Sequence, residues 1–150
     1  GEDWEGEVKN WQVDAIVIAH GHPDHAFGLR EGSPCPVYVT RDTWENIDHF
    51  EIKDRRTIAE RDPFRIPNNG ENSVEFAAFP VLHSTRAPAV GHRIKAGSSG
   101  IFNVPDVAWI KDRKKAITGI DTYVSDEATI MSSMIRKPCD TINGHPPIQT

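Results

Sequence analysis

The clearest patterned stretch is Asp14-Ala15-Ile16-Val17-Ile18-Ala19, an apolar run with no polar interruption after Asp14. Such a run predicts a buried strand. It opens into His20-Gly21-His22-Pro23-Asp24-His25, where the glycine and proline mark a sharp loop, and helical character resumes through Ala26, Phe27 and Leu29. Before it, residues 1–12 have no clear period and read as a loop or short helix. After it, Glu31-Gly32-Ser33-Pro34-Cys35-Pro36 is a turn and Val37-Tyr38-Val39-Thr40 a short strand. Asp42 or Thr43 is placed to cap a helix from Thr43 to Phe50. Residues 51–72 mix charge and proline and close on Asn68-Asn69-Gly70, a hairpin signal into the strand Val74 to Phe79. A second hairpin is predicted from Val90–Ala96, Gly97-Ser98-Ser99-Gly100 and Ile101–Val104. Lys111 to Lys115 reads as a solvated helix face and Thr122-Tyr123-Val124 as a last strand. Asn143-Gly144-His145-Pro146-Pro147 looks like a turn opening a helix.

Chemistry-bearing residues recur where these strands end. His20, His22, Asp24 and His25 leave the first strand, His83 leaves the Val74 strand, Asp106 ends the Ile101 strand, and Asp126-Glu127 follows the Thr122 strand. His20 and His22 are one residue apart, so an extended loop can turn both rings to one side. Neutral imidazole is a common ligand of zinc and other transition metals, and carboxylate and imidazole together suit a second ion. The plainer alternative is a polar surface loop, but a buried strand feeding the motif argues against it. Strand ends converging at one rim are what an α/β or sheet-sandwich enzyme needs to build a site.

Composition narrows the setting. With 150 residues, 37% of them hydrophobic, the chain can bury one core and is expected to form one domain over 1–150. A net charge of −5 and a pI near 5.8 do not favour nucleic acid as a partner. Cys35 and Cys139 form neither a C-x-x-C pair nor a disulfide framework, which suits a reducing, cytoplasmic setting. No run is long enough to span a membrane and no signal peptide opens the chain. The first residue is not Met, so the start is read as a processed, engineered or truncated end.

The loop His20-Gly21-His22-Pro23-Asp24-His25 resembles the H-x-H-x-D-H signature of the metallo-β-lactamase superfamily of hydrolases. Further matches are Leu82-His83-Ser84, Val104-Pro105-Asp106, and Gly91-His92-Arg93-Ile94 with its hairpin, the last resembling the ribonuclease Z-like and phosphodiesterase branch. Asp126-Glu127-Ala128-Thr129 and Gly144-His145 resemble two ribonuclease Z loops, but Asp126 stands where those have His and Pro146-Pro147 where they have Ser-Thr. That departure counts against tRNA processing. The resemblance implies an αββα sandwich of α/β (α+β) class. The family's opening β-hairpin has no counterpart here and no histidine follows His145 to serve as its last ligand, so the domain is expected to be partial at both ends. The alternative is that His145 itself supplies that ligand, although its Gly-His-Pro context fits the substrate-side loop better.

Carried over by position, the resemblance implies a first metal site of His20, His22 and His83, a second of Asp24 and His25, and Asp106 bridging them. Two zinc ions are expected, with manganese or iron as alternatives and the second site weakened by the absent ligand. Asp24 could steer a proton. His145 could donate one to a leaving oxygen or contact a phosphate, with Glu127 and Asp126 able to pair with it on the substrate side, and Arg86 could hold an anionic substrate. Bland readings compete for each: a turn histidine, a capping carboxylate, a surface arginine. His92 is expected to be structural or exposed, His49 solvated, and the tryptophans at 4, 11, 44 and 109 to pack in or beside the core. The expected function is metal-dependent hydrolysis of a phosphodiester or related ester, with a small-molecule or phosphodiester substrate and no membrane. The alternatives are a thioester or lactone hydrolase of the same fold, or a non-catalytic metal-binding remnant.

Overall fold

The structure is a computed structural model and describes residues 6–67 and 73–125. Two sheets face each other. The first is three-stranded and parallel, in the order β1 (Ile16–Val17), β2 (Val37–Val39), β3 (Arg55–Thr57). The second is six-stranded. Its main path is β4 (Phe64–Ile66), β5 (Val74–Leu82), β6 (Ala89–Ala96), β7 (Ser99–Val104), β9 (Thr122–Ser125), and β8 (Trp109–Ile110) pairs with the end of β5. Parallel neighbours need crossovers, and short helices supply them: α1 (Pro23–Ala26) follows β1, α2 (Arg41–Asn46) follows β2, and α3 (Arg113–Ile117) precedes β9.

Strand alternation sorts the core into layers. Val37 and Val39 of β2 turn outward to Ala26, Leu29, Trp44, Ile47 and Phe50 beneath the first helices. Tyr38, between them, turns inward and stacks on Phe64 with ring centroids 5.4 Å apart. Ala78 and Val90 meet Ile58 in the same inter-sheet layer. Ala77, Phe79, Val81, Phe102 and Val104 face the other way, onto Ala116 of α3. The order helix, sheet, sheet, helix is the expected αββα arrangement.

Several local expectations need correction. The Asp14–Ala19 run forms only the two-residue β1, half-buried rather than buried, because β1 is an edge strand of its sheet. The cap of α2 is Thr40, whose Oγ1 accepts from the Thr43 N–H at 3.4 Å, and the helix ends at Asn46, short of Phe50. Residues 51–67 hold β3 and β4, hidden from periodicity because Arg55, Arg56 and Thr57 are all exposed on a charged edge strand. The 68–70 turn lies outside the described residues, but β4 and β5 pair antiparallel as that hairpin requires. The second hairpin is tighter than expected. Its strands come within Gly97 and Ser98, and Gly97 takes φ +60°, a conformation that favours glycine. Trp44 is buried, whereas Trp11 and Trp109 are exposed. Among the described residues no helix is long and apolar enough to cross a membrane.

His92 turns out structural and buried. It lies opposite Ala78 and Asn103 on the inter-sheet face, 3% exposed, and its Nε2 has no hydrogen-bond partner among the described residues. Burial pushes its pKa down to about 4 from an ordinary 6.5, so the folded protein holds it neutral. Its contribution is therefore complete above pH 6.5 and declines as pH falls, because the unfolded chain takes up the proton first. The full difference is about 3 kcal/mol once pH passes below 4. Denaturant titrations of wild type and His92→Leu at pH 7 and pH 4.5 test this. The wild type is expected to lose more stability between the two, and equal losses would show that His92 does not titrate as its burial demands.

Candidate metal centre

The histidine loop is held from both sides. Ile18 N–H donates to Tyr38 O at 3.2 Å, continuing the parallel ladder, and Val90 N–H donates to Ala19 O at 3.0 Å, from the opposite sheet. His20 then enters the inter-sheet space and is fully buried. Gly21 leaves the chain no room for a side chain, since a Cβ there would lie 2.7 Å from Cβ of Asn46 on α2. His22 is the N-cap of α1, its carbonyl accepting from His25 N–H at 3.0 Å and Ala26 N–H at 2.9 Å. The short helix thus returns His25 to the same place. His83 arrives one residue beyond β5, and Asp106 two residues beyond β7.

Five of the predicted residues come together. His20 Nε2 and His22 Nδ1 are 3.1 Å apart, and His83 Nε2 lies 3.2 Å from His22 Nδ1. His25 Nε2 is 2.6 Å from Asp106 Oδ2, and His20 Nε2 is 3.4 Å from that oxygen. The ring centroids of His20 and His25 are 4.2 Å apart. Two compact groups result, His20–His22–His83 and His20–His25–Asp106, each with its ligand atoms within 4.8 Å of one another. His20 is common to both, whereas the resemblance implied that Asp106 alone would join them. Asp24 is in neither group. Its side chain is 73% exposed at the rim, with Oδ2 3.4 Å from His25 Nε2. Arg86 is exposed on the loop after His83, in a turn closed by its N–H donating to Ser84 Oγ at 3.2 Å. Glu127 and His145, with Asp126, lie outside the described residues.

The electrostatics suit a cation. Burial is the main reason the His20 pKa falls to about 3, with the neighbouring imidazoles His25, His83 and His22 adding to it and Asp106 opposing. A neutral ring keeps a lone pair to give. Burial alone would raise the Asp106 carboxyl, but the His25 hydrogen bond and the charge available on His83, His25 and His20 hold it well below the usual carboxylate range. Asp106 takes φ +56°, a left-handed conformation uncommon for a residue with a side chain and found at strained functional positions. Four imidazoles and a carboxylate drawn from water are costly unless something repays the desolvation. Tetrahedral zinc with Zn–N near 2.0–2.1 Å sets its nitrogens about 3.3 Å apart. The separations of 3.1 and 3.2 Å fit that spacing, so the donor set fits a metal ion.

The family model of the beta-lactamase superfamily domain matches residues 5–146. The chain belongs to this family. Among solved structures, Zn(2+)-bound PqqB from Methylobacterium extorquens is similar at 24% identity and a TM-score of 0.58, covering 79% of this chain and 47% of PqqB. A mutant of the CmlA beta-hydroxylase is similar at 17% identity and the same TM-score of 0.58, covering 75% of this chain and 25% of CmlA. The chain therefore spans about half of one and a quarter of the other. No curated protein matches it. These structures share the metallo-β-lactamase fold with this chain.

His22 Nδ1 has both other imidazole nitrogens of its group within 3.2 Å, so its loss should be felt most. Competition with a chromogenic chelator at neutral pH is expected to show His22→Ala weakening zinc binding at least about 100-fold, the scale of losing a ligand or its support. His49→Ala, on an exposed histidine remote from both groups in sequence, should leave affinity unchanged. Retained zinc in His22→Ala would show that the first group is not the metal site.

Proposed function

We propose that this protein is a metal-dependent hydrolase of phosphodiesters or related esters, nearest in kind to the phosphodiesterase and ribonuclease Z-like branch of its superfamily. The observation that carries the reading is the convergence of His20, His22 and His83 beside the His25–Asp106 pair at one rim. His20, His22 and His83 would hold the first ion, and His25 and Asp106, with His20 at their edge, a second and weaker one. Zinc is the expected metal, with manganese or iron as alternatives, and the Zn(2+)-bound state of PqqB supports that choice. Bound there, such ions supply Lewis acidity and lower the pKa of water toward neutrality.

The remaining roles belong to the chain's own groups. Asp24 is at the open rim within 3.4 Å of His25 Nε2, a position from which a carboxylate can accept and pass on a proton. Arg86, exposed beyond His83, is available to a negatively charged substrate. His145 as proton donor to the leaving oxygen, with Glu127 beside it, belongs to this proposal on sequence grounds alone. So does a reducing, cytoplasmic setting, which rests on two cysteines without paired spacing.

The test is turnover of bis(p-nitrophenyl) phosphate by protein loaded with zinc, manganese or iron. Asp24→Asn is expected to lower kcat about 10²–10⁴-fold with metal content unchanged, as removal of a proton-transfer group should. Loss of metal in that variant would make Asp24 a ligand instead. Faster turnover of thioesters or lactones would move the substrate class within the fold. No turnover of any ester with any of the three metals would leave the metal-binding remnant.

A further inference from the structure

Trp109 is 58% exposed, and strand register decides where it stands. In β8, Ile110 pairs with Val81 and Trp109 with Leu82 at the end of β5. The backbone is fixed on either side by Ala108 N–H donating to Leu82 O at 2.7 Å and Lys111 N–H to Pro80 O at 3.4 Å. Ile110 is buried with Val81 in the cluster beneath α3. Alternation turns Trp109 to the opposite face, the one on which Ala78 meets the first sheet. On the β5 edge away from β6, the lateral neighbours are Glu60 at Ala78 and β8 at Val81 and Leu82.

This end of β5 leads into the metal centre. His83 is the residue after Leu82, and Asp106 lies three residues before Trp109. Both strand ends that complete the ligand groups therefore adjoin the β5–β8 pairing that carries Trp109. Leaving such a ring largely in water forgoes the gain of burying it, whereas Trp44 is buried in the core. Trp109 makes no ring stack, cation–π contact or hydrogen bond through its side chain among the described residues. Its backbone is held and only two side-chain torsions remain to be ordered, which presents an aromatic face at low entropic cost.

We propose that Trp109 determines specificity, its indole stacking on a planar aromatic ring of the substrate whose reacting group lies at the His20–His22–His83 cluster. The identity of that reacting group rests on the hydrolase reading, but the stacking does not need turnover. Isothermal titration of zinc-loaded protein with p-nitrophenyl phosphate and with ethyl phosphate separates the two. The wild type is expected to bind the aryl phosphate about tenfold more tightly, the scale of one aromatic stack. Trp109→Ala should erase that ratio and keep ethyl phosphate affinity within about twofold. Trp109→Phe should keep most of the ratio, and Trp11→Ala, removing another exposed indole, all of it. A ratio that survives Trp109→Ala, or a wild type that binds the aryl phosphate no better than the alkyl one, overturns the proposal. If the ratio behaves as expected while no ester is hydrolysed, the hydrolase reading fails and the stacking site stands.

Discussion

Ala19 gives its carbonyl oxygen to the N–H of Val90 across 3.0 Å, and through this bond the two sheets are joined at the root of the histidine loop. One residue further on, His20 is buried between them. A buried imidazole can be placed this accurately only if the backbone before it is held from both sides. Here the β2 ladder holds one side and β6 the other. Gly21 then lets the loop lie against α2 without a side chain between, and His22 caps the helix that carries His25 back. The site is thus a consequence of how a parallel strand ends, with loop residues fixed by rigid scaffold on either side.

The same burial sets the chemistry. In water, four histidines this close would share their protons unevenly and repel as they charged. In the inter-sheet space, desolvation holds His20 neutral and leaves Asp106 as the charge balancing the group. His25 is nearest to that carboxylate at 2.6 Å, so the His20–His25–Asp106 group contains the carboxylate and the His20–His22–His83 group is built of imidazoles alone. The two groups are therefore unequal by construction. A three-imidazole site suits zinc with an open fourth position. Its neighbour has one carboxylate and shares His20 with it.

Much of this centre was legible in the sequence because its residues mark the exits of strands. His20, His22, His25, His83 and Asp106 are polar groups that follow apolar runs, and the structure brings all five together. The H-x-H-x-D-H spacing named the family as well. Other features left no such trace. Thr40 caps α2 from inside what read as a strand, because a cap is decided by where the helix turns and not by composition. Arg55-Arg56-Thr57 forms a parallel strand with no apolar residue, stabilised by backbone pairing to β2 and by Arg55 donating to the carbonyls of Asp48 and Phe50. Trp109 resembled any core tryptophan, yet paired with Leu82 at the end of β5 it is left exposed. Exposure is a property of what stands opposite, and one chain position carries no record of that.

The unequal width of the sheets explains both the buried and the open parts of their shared face. At about 4.8 Å per strand, three strands cover roughly 14 Å, and the second sheet is wider. Tyr38 reaches Phe64 on β4, Ile58 reaches Ala78 on β5, and Ala19 reaches Val90 on β6, so cover extends across those three strands. His92, on β6, is at its margin and still dry. Ile101 on β7 and Val124 on β9, on the same face by register, are 39% and 46% exposed. The ligand cluster belongs to the covered part, where the strand ends of β1 and β5 meet and Asp106 enters from a β7 anchored on its other face by Phe102 and Val104. The covered part is where the donor atoms must keep their spacing; the face opens beyond β6, and Trp109, paired to the last residue of β5, is left exposed at the side of the cluster.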